Sequence, residues 1–178
     1  MLIKSWKTIN TTYVHRDVRV DECELPNGQI IDAHVLDYDD ESMIFALTKD
    51  RQVVLIRQYR HGAQDVILEL PNGSVDEGET PLEAAKRELM EETGYASDTF
   101  IAVGQLSPNP AIYRNQIHFF LALDAEHSNQ QSSHDADSIE VVLTPLEGVI
   151  AQARDGKLIN SLNITTLFFV LEYLRRIS

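Results

Sequence analysis

The sequence has little cysteine, little positive charge and no long apolar run. Cys23 is the only cysteine among 178 residues, so no disulfide can form within the chain, and a reducing compartment is expected. The 15 basic residues are outnumbered by 28 acidic ones, which disfavours binding to nucleic acid or an anionic membrane because both are polyanions. No run approaches roughly 18 apolar residues, and the first residues lack the apolar segment of a signal peptide. We therefore expect a cytoplasmic protein that binds neither nucleic acid nor membrane.

The order of helical and strand-like segments predicts the fold class. Alternating or apolar segments predict strands within YVHRDVRVDECEL, QIIDAHVLDY, SMIFALT, QVVLIRQYR, VILELP, FIAVGQL, QIHFFLALDA and DSIEVVLT. Helices are expected over 81–93, from a capping box in TPLE at 144–147 to near Gly156, and from a cap at Ser161 onwards. His118 is expected to be a packed or hydrogen-bonded strand residue. Strands mixed with helices in this way predict an α/β or α+β sandwich.

The helix over 81–93 carries clear local signals. Thr80 is a favourable N-cap, Pro81 suits the first helical position, and Glu83 completes a capping box with Thr80. Gly94 stands where a left-handed C-terminal cap requires glycine. On this helix, we expect the buried stripe to consist of Leu82, Ala85 and Leu89.

Three carboxylates share the face beside that stripe. Glu88, Glu91 and Glu92 are spaced i, i+3, i+4, so they would repel one another unless a cation neutralised them. Oxygen ligands of this kind suit Mg²⁺, with Mn²⁺ as the alternative, and the carbonyl of Asn72 is a candidate further ligand. Taken alone, an acidic helix of this kind is more often a solvated surface face than a metal site, and the flanking residues are what favour the metal site. Arg87 is placed to pair with Glu79.

The spacing of the whole stretch resembles the complete Nudix box. The fixed positions are matched by Gly73, Glu79, the run Arg87–Glu88–Leu89, the pair Glu91–Glu92 and Gly94, followed by Tyr95. The resemblance implies a Nudix α/β/α sandwich with a mixed β-sheet. It also implies that Glu88, Glu91 and Glu92 bind metal and that Glu91 and Glu92 are catalytic. The other matched positions, Gly73, Glu79, Arg87 and Gly94, would have structural roles. The reaction implied by the resemblance splits a nucleoside diphosphate linked to another group.

The segment before the box, RQYRHGAQDVILELPNG, resembles the ADP-ribose pyrophosphatase and nucleotide-sugar hydrolase branch of that family. A proline beyond the box is a second marker of the branch, and Pro110 is found there, although the usual SPG is SPNP in this chain. The resemblance implies that Arg57, Arg60 and Glu69 lie near the diphosphate and ribose. Because Arg57 and Arg60 are three residues apart, a regular strand would point them to opposite faces, so both contribute only if the strand bends.

The remaining substrate contacts are expected outside the box. Arg114 is a further candidate, either for binding the substrate or for closing a loop. Tyr113, Tyr13 and Trp6 are candidates for stacking on the base, although aromatic residues near strands also serve as core. The branch often stacks the base with N-terminal strands in a domain-swapped dimer. We therefore expect residues 1–45 to form an N-terminal β-rich extension for homodimerisation and residues 46–178 to form the Nudix domain.

In the branch that the chain resembles, the general base often comes from an acidic residue on the loop after the HFFLA strand, and that loop is EHSNQQSSHDADSIE in this chain. Its acidic candidates are Asp137 first, Asp135 second and Glu140 third, the last because it is expected to lie within a strand. The alternative is that this segment is a disordered acidic connector.

Together these features predict metal-dependent hydrolysis of ADP-ribose and related nucleoside diphosphate sugars to a nucleoside monophosphate and a sugar phosphate. The alternatives are a hydrolase of GDP-mannose, UDP-sugars or dinucleoside polyphosphates, and a non-catalytic sensor of ADP-ribose. The sequence leaves open the physiological substrate, the number of metal ions and the phosphorus that is attacked.

Overall fold

A computed structural model describes residues 5–128 and 139–177 of the chain. The strands are β1 Lys7–His15, β2 Val18–Glu24, β3 Ile30–Leu36, β4 Glu41–Leu47, β5 Gln52–Arg60, β6 Asp65–Glu69, β7 Asn72–Ser74, β8 Tyr95–Ala96, β9 Thr99–Leu106, β10 Ile117–Leu123, β11 Glu126–His127 and β12 Ile139–Pro145. The helices are α1 Pro81–Thr93, α2 Leu146–Arg154 and α3 Ser161–Ile177.

The chain divides into two compact units. One comprises Met1–Asp39 with Ser107–Gln116, and the other comprises Asp40–Leu106 with Ile117–Ser178. The larger unit thus begins at Asp40 and contains all of β4, whereas the sequence-based division at residue 45 would cut that strand. The dimerisation role of the N-terminal residues stays a prediction.

The smaller unit is built on an antiparallel sheet in the order β1-β2-β3. The strand-like segment YVHRDVRVDECEL contains the end of β1 and all of β2, and Arg16 and Asp17 form the turn between these two strands. The Asp37 carboxylate binds three side chains of this unit. Tyr13 donates a hydrogen bond to it at 2.7 Å, Arg19 donates one at 2.5 Å, and Arg114 forms an ion pair with it. These partners lower the pKa of Asp37, the Tyr13 hydrogen bond being the largest cause.

The larger unit contains a mixed sheet with helices on both faces. The strand order is β12-β5-β4-β10-β9, and β4 and β10 run parallel while the other neighbours run antiparallel. Because successive side chains alternate between faces, each central strand contributes to two separate cores. The core with α1 contains Ile44, Ala46, Val54, Phe120 and Ala122 against Ala85 and Leu89. The core with α2 and α3 contains Met43, Phe45, Val53, Leu55, Phe119 and Leu121 against Leu146, Val149, Leu167 and Val170. The predicted α/β/α sandwich is confirmed.

The strands β4 and β5 separate after their hairpin, and this separation makes room for a cleft. They pair only where Ala46 and Leu47 face Val54 and Val53. Beyond that point β6 pairs with β5, while β7 pairs with β4. The two short strands therefore line the gap between the longer ones.

The helix predictions have different outcomes. For α1, Thr80 and Glu83 form the expected capping box, and Gly94 has φ 71° in the left-handed region. Leu82 is 38% exposed, so its place in the buried stripe was wrong, while Ala85 and Leu89 are fully buried.

The other two helices begin differently from expectation. For α2 the predicted capping box is wrong: Thr144 and Pro145 continue β12 along β5, and no side chain caps the helix. For α3, Ser161 is the first helical residue and Asn160 provides the cap by accepting from the Leu162 N–H. No helix in residues 5–128 or 139–177 is long and apolar enough to cross a membrane.

Candidate active site

A polar cleft of about 670 Å³ opens in the larger unit where β4 and β5 separate. It is lined from β4 and β5 by Glu41, Gln58 and Arg60, from β6 and β7 by Ile67, Glu69, Asn72, Gly73 and Ser74, from α1 by Glu88 and Glu92, and elsewhere by Ala63, Ile159 and Asn160. The cleft therefore brings together the carboxylates of the box and the arginine of the preceding strand. They are distant in sequence and belong to different elements.

Gly73 is required by the packing of Glu88. A Cβ at Gly73 would lie 2.1 Å from the Glu88 carboxyl carbon, well inside contact distance. Glycine is therefore the residue that lets the loop and the helix approach with this carboxylate between them. Burial is the main cause that raises the pKa of Glu88, and the neighbouring Arg87 opposes it.

Arg87 joins the loop to the helix, as predicted. Its guanidinium donates to both Glu79 oxygens at 3.0 and 2.9 Å and to the Ser74 carbonyl at 2.9 Å. It also donates to Glu88 at 2.6 Å and to Glu91 at 3.2 Å. The Arg87 guanidinium thus holds the Glu79 side chain in place and offsets the negative charge of the helix face.

Glu92 is the most deeply buried of the three box carboxylates. Its Oε2 accepts a hydrogen bond from the Asn72 N–H at 2.9 Å. Burial raises the pKa of Glu92 to about 8, with the nearby charge of Glu88 adding to the effect. Glu91, by contrast, is 46% exposed and does not line the cleft.

Arg60 enters the same cleft from β5. Its Nε donates to Glu69 Oε2 at 2.6 Å, and the Asn160 amide donates to Glu69 Oε1 at 2.8 Å. Glu41 lies in the cleft as well, and burial raises its pKa while Arg60 opposes that rise. Glu41 and Asn160 were not predicted from the sequence as part of the site. No local signal marks Glu41, and Asn160 was overlooked because the cap of α3 was expected at Ser161.

Arg57 lies outside the cleft, in a separate depression of about 300 Å³ shared with Gln152 and Lys157. It donates to Glu140 on the adjacent strand at 3.2 Å. Of the two predicted arginines, Arg60 therefore lies in the cleft, whereas Arg57 forms an ion pair with Glu140, one of the candidate general bases. The other two candidate bases, Asp135 and Asp137, lie outside the described residues.

The remaining predicted residues belong to the smaller unit or to the strands. Tyr113 packs against Tyr38 with ring centroids 5.9 Å apart, while Trp6 and Pro110 are exposed. Their binding roles stay predictions. His118 is a strand residue whose ring nitrogen is 3.0 Å from Asp40, so its expected hydrogen-bonded role is confirmed.

The donor set of the cleft fits a hard divalent cation by chemistry. Glu88 and Glu92 offer carboxylate oxygens that are costly to charge where they are buried, and a cation would relieve that cost. In the described part of the chain, no group of three or more His, Cys, Asp or Glu side chains is arranged to hold a metal ion. The assignment of Asn72, Glu88, Glu91 and Glu92 as ligands therefore stays a prediction.

The sandwich, the glycine-opened loop and the carboxylate-bearing helix are the features that the sequence predicts for a Nudix hydrolase. The model of the NUDIX domain family matches residues 38–162. The chain therefore belongs to the Nudix family. Its predicted place among pyrophosphohydrolases of the ADP-ribose pyrophosphatase branch is confirmed.

Known proteins resemble this chain over most of its length. It is 28% identical to the ADP-ribose pyrophosphatase of Bacillus subtilis (strain 168) over 135 residues, covering 75% of this chain and 73% of the relative. It is 29% identical to the GDP-mannose pyrophosphatase of Citrobacter koseri over 187 residues, covering 94% and 97% of the two chains. A crystal structure of an ADP compounds hydrolase superposes with a TM-score of 0.87 at 24% identity, covering 98% of this chain and 97% of that one. This last likeness supports the fold.

Proposed function

We propose that the protein hydrolyses the diphosphate bond of ADP-ribose and related nucleoside diphosphate sugars with the help of divalent metal, releasing a nucleoside monophosphate and a sugar phosphate. One observation carries the proposal: Glu88, Glu92 and Arg60 line a single cleft. A guanidinium suits the paired oxygens of a diphosphate, and carboxylates suit the cations that accompany it. Each half of the cleft thus matches one part of a metal diphosphate.

Separate groups of residues are proposed to bind the diphosphate and the metal. Arg60, 40% exposed, binds the diphosphate, and Glu69 orients its guanidinium. Glu88, Glu91 and Glu92, with the Asn72 carbonyl, would hold Mg²⁺ or Mn²⁺, which when bound neutralises charge on phosphoryl oxygens and lowers the pKa of water. Gly73 and Arg87 keep the loop against α1 so that the carboxylates stay in place.

The proton acceptor for the attacking water is proposed to be one of the acids Asp137, Asp135 and Glu140. Glu140 is engaged by Arg57, which is a reason to place it after Asp137 and Asp135 in this role.

ADP-ribose is proposed as the substrate because the segments flanking the box resemble that branch and because the Bacillus subtilis relative is an ADP-ribose pyrophosphatase. GDP-mannose is the alternative substrate, because the Citrobacter koseri relative is a GDP-mannose pyrophosphatase. UDP-sugars and dinucleoside polyphosphates are further alternatives. A non-catalytic sensor is disfavoured because every box carboxylate is present.

The smaller unit is proposed to bind the base and to form a homodimer in the cytoplasm. Its first strand is exposed along its whole length. The exposed apolar and aromatic side chains there and just before it are Trp6, Ile9, Tyr13 and Val14. An edge strand with such residues is a surface that another chain can cover.

The test is a panel of nucleoside diphosphate compounds with Mg²⁺, assayed by phosphatase-coupled phosphate release. We expect the highest kcat/KM for ADP-ribose, AMP as a product, and loss of turnover when EDTA removes the metal. Preferred turnover of GDP-mannose would replace the substrate proposed here. Absence of turnover for every diphosphate, with ADP-ribose still bound, would favour the sensor.

A further inference from the structure

Arg60 is held in the cleft by a chain of hydrogen bonds that begins at Asn160, the N-cap of α3. Glu69 stands between the two ends, accepting from Arg60 at 2.6 Å and from the Asn160 amide at 2.8 Å, one bond on each oxygen. The Glu69 side chain is 2% exposed, so water is largely kept from replacing either partner. The orientation of this carboxylate is therefore set by both donors.

Asn160 is itself fixed at the start of α3. Its Oδ1 accepts from the Leu162 N–H at 2.9 Å, which caps the helix, and its backbone carbonyl accepts from the Asn163 N–H at 3.1 Å. Because the capping bond holds the amide oxygen, the amide nitrogen is directed at Glu69. One side chain thus performs two separable tasks.

Asn163 holds the strand that carries Glu69. It is fully buried, its Oδ1 accepts from the Leu70 N–H at 3.2 Å, and its Nδ2 donates to the Leu68 carbonyl at 3.5 Å. The first turn of α3 therefore binds the backbone on both sides of Glu69 and the Glu69 side chain as well. Asn163 thus fixes the backbone position of Glu69, whereas the orientation of the Glu69 side chain depends on its hydrogen bond from Asn160.

We propose that Asn160 is a positioning residue that acts through Glu69 to hold the Arg60 guanidinium ready for the substrate diphosphate. This inference rests on the proposed function of the cleft. Without the amide donor, one oxygen of a buried carboxylate loses its partner, and Glu69 turns to find another. Arg60 then loses its fixed orientation and must be ordered by the substrate.

The first test separates positioning from capping. Asn160→Ser keeps a good helix cap but removes the amide that reaches Glu69, and Ser161→Ala alters the neighbouring exposed position as a matched control. We expect Asn160→Ser to raise KM for ADP-ribose roughly tenfold with kcat nearly unchanged, because binding in the ground and transition states is weakened alike. Asn160→Asp keeps the capping oxygen and sets a carboxylate against Glu69, so its KM should rise further. Melting temperatures near that of the parent would show that the cap is intact.

The second test asks whether the effect passes through Arg60. In an Arg60→Ala background, Asn160→Ser should change KM little, because the group that it positions is gone. Equal effects of Asn160→Ser in both backgrounds would overturn the inference.

A third measurement is independent of activity. The Nε–H signal of Arg60 in ¹⁵N NMR, assigned by its loss in Arg60→Ala, should be protected from solvent exchange in the parent and in Ser161→Ala, and unprotected in Asn160→Ser. Unchanged protection in Asn160→Ser would refute the positioning role. If protection is lost as expected but the parent hydrolyses no diphosphate, the proposed function fails while the positioning of Arg60 stands.

Discussion

Gly73 lies directly against Glu88, with room for no side chain between them. This contact joins the loop before α1 to a carboxylate on its third turn. Catalytic carboxylates must be held within a fraction of an ångström, so the contact gives a direct test of the site.

Gly73→Ala should lower kcat/KM for the preferred diphosphate by roughly 100-fold, because the new methyl group displaces the Glu88 carboxylate. The fold should persist, since the displaced atoms are the far end of a flexible side chain. Steady-state kinetics and circular dichroism would measure the two effects. Gly62→Ala is the matched control, because nothing lies within 4 Å of a Cβ at Gly62. Equal activity of the two variants would contradict the packing described for Glu88.

Glu92→Gln should lower kcat/KM by roughly 100-fold or more, because an amide is a poorer ligand for a hard cation than a carboxylate. The hydrogen bond from the Asn72 N–H can still be accepted by the amide oxygen, so the fold should be retained. The matched control is Glu147→Gln on the exposed face of α2, which should be as active as the parent. Activity of Glu92→Gln at the parent level would remove Glu92 from the proposed ligands.

The stability of the metal-free protein should depend on pH through Glu92. Its pKa rises from 4.5 in the unfolded chain to about 8 in the folded one, so the folded state binds the extra proton between these values. The stabilisation from this proton is complete below the lower value and is lost as pH rises through the upper one. In EDTA, the free energy of unfolding should therefore fall by about 3 kcal/mol from about pH 6 to about pH 9.

Chemical denaturation of the parent and of Glu92→Gln would measure this loss. The variant has no carboxylate at this position, so the fall should be clearly smaller. Mg²⁺ should reduce the fall in the parent by stabilising the charged carboxylate. A parent and a variant with the same pH dependence in EDTA would show that Glu92 does not titrate in this way.

Arg87→Lys should cost about 1–2 kcal/mol of unfolding free energy, because a lysine cannot reproduce the two-oxygen contact with Glu79 or reach all the other acceptors. Activity should also fall as the loop loosens. Arg175→Lys, in an exposed pair on α3, should change stability by less than about 0.5 kcal/mol. Urea denaturation of both variants makes the comparison, and equal losses would mean that the Arg87 network is no stronger than a surface ion pair.

Local chemistry explains which parts of the sequence interpretation succeeded. The helix α1 was predicted with its limits because Thr80, Glu83 and Gly94 act within a few residues of one another. The Arg87–Glu79 pair was predicted because both partners lie in one continuous stretch. The capping box at 144–147 failed because pairing with β5 keeps Thr144 in a strand, and such pairing is a long-range interaction that a local pattern does not contain.

The sequence by itself determined the chemistry of the box: the spacing of Gly73, Glu88 and Glu92, the cap of α1, and hence the family. Only the tertiary structure decided that Arg60 lies in the cleft while Arg57 pairs with Glu140, and that Glu41 and Asn160 join them. The reason is physical. Spacing along one helix sets which side chains share a face, whereas the contents of the cleft depend on how β4 and β5 separate and on where α3 begins.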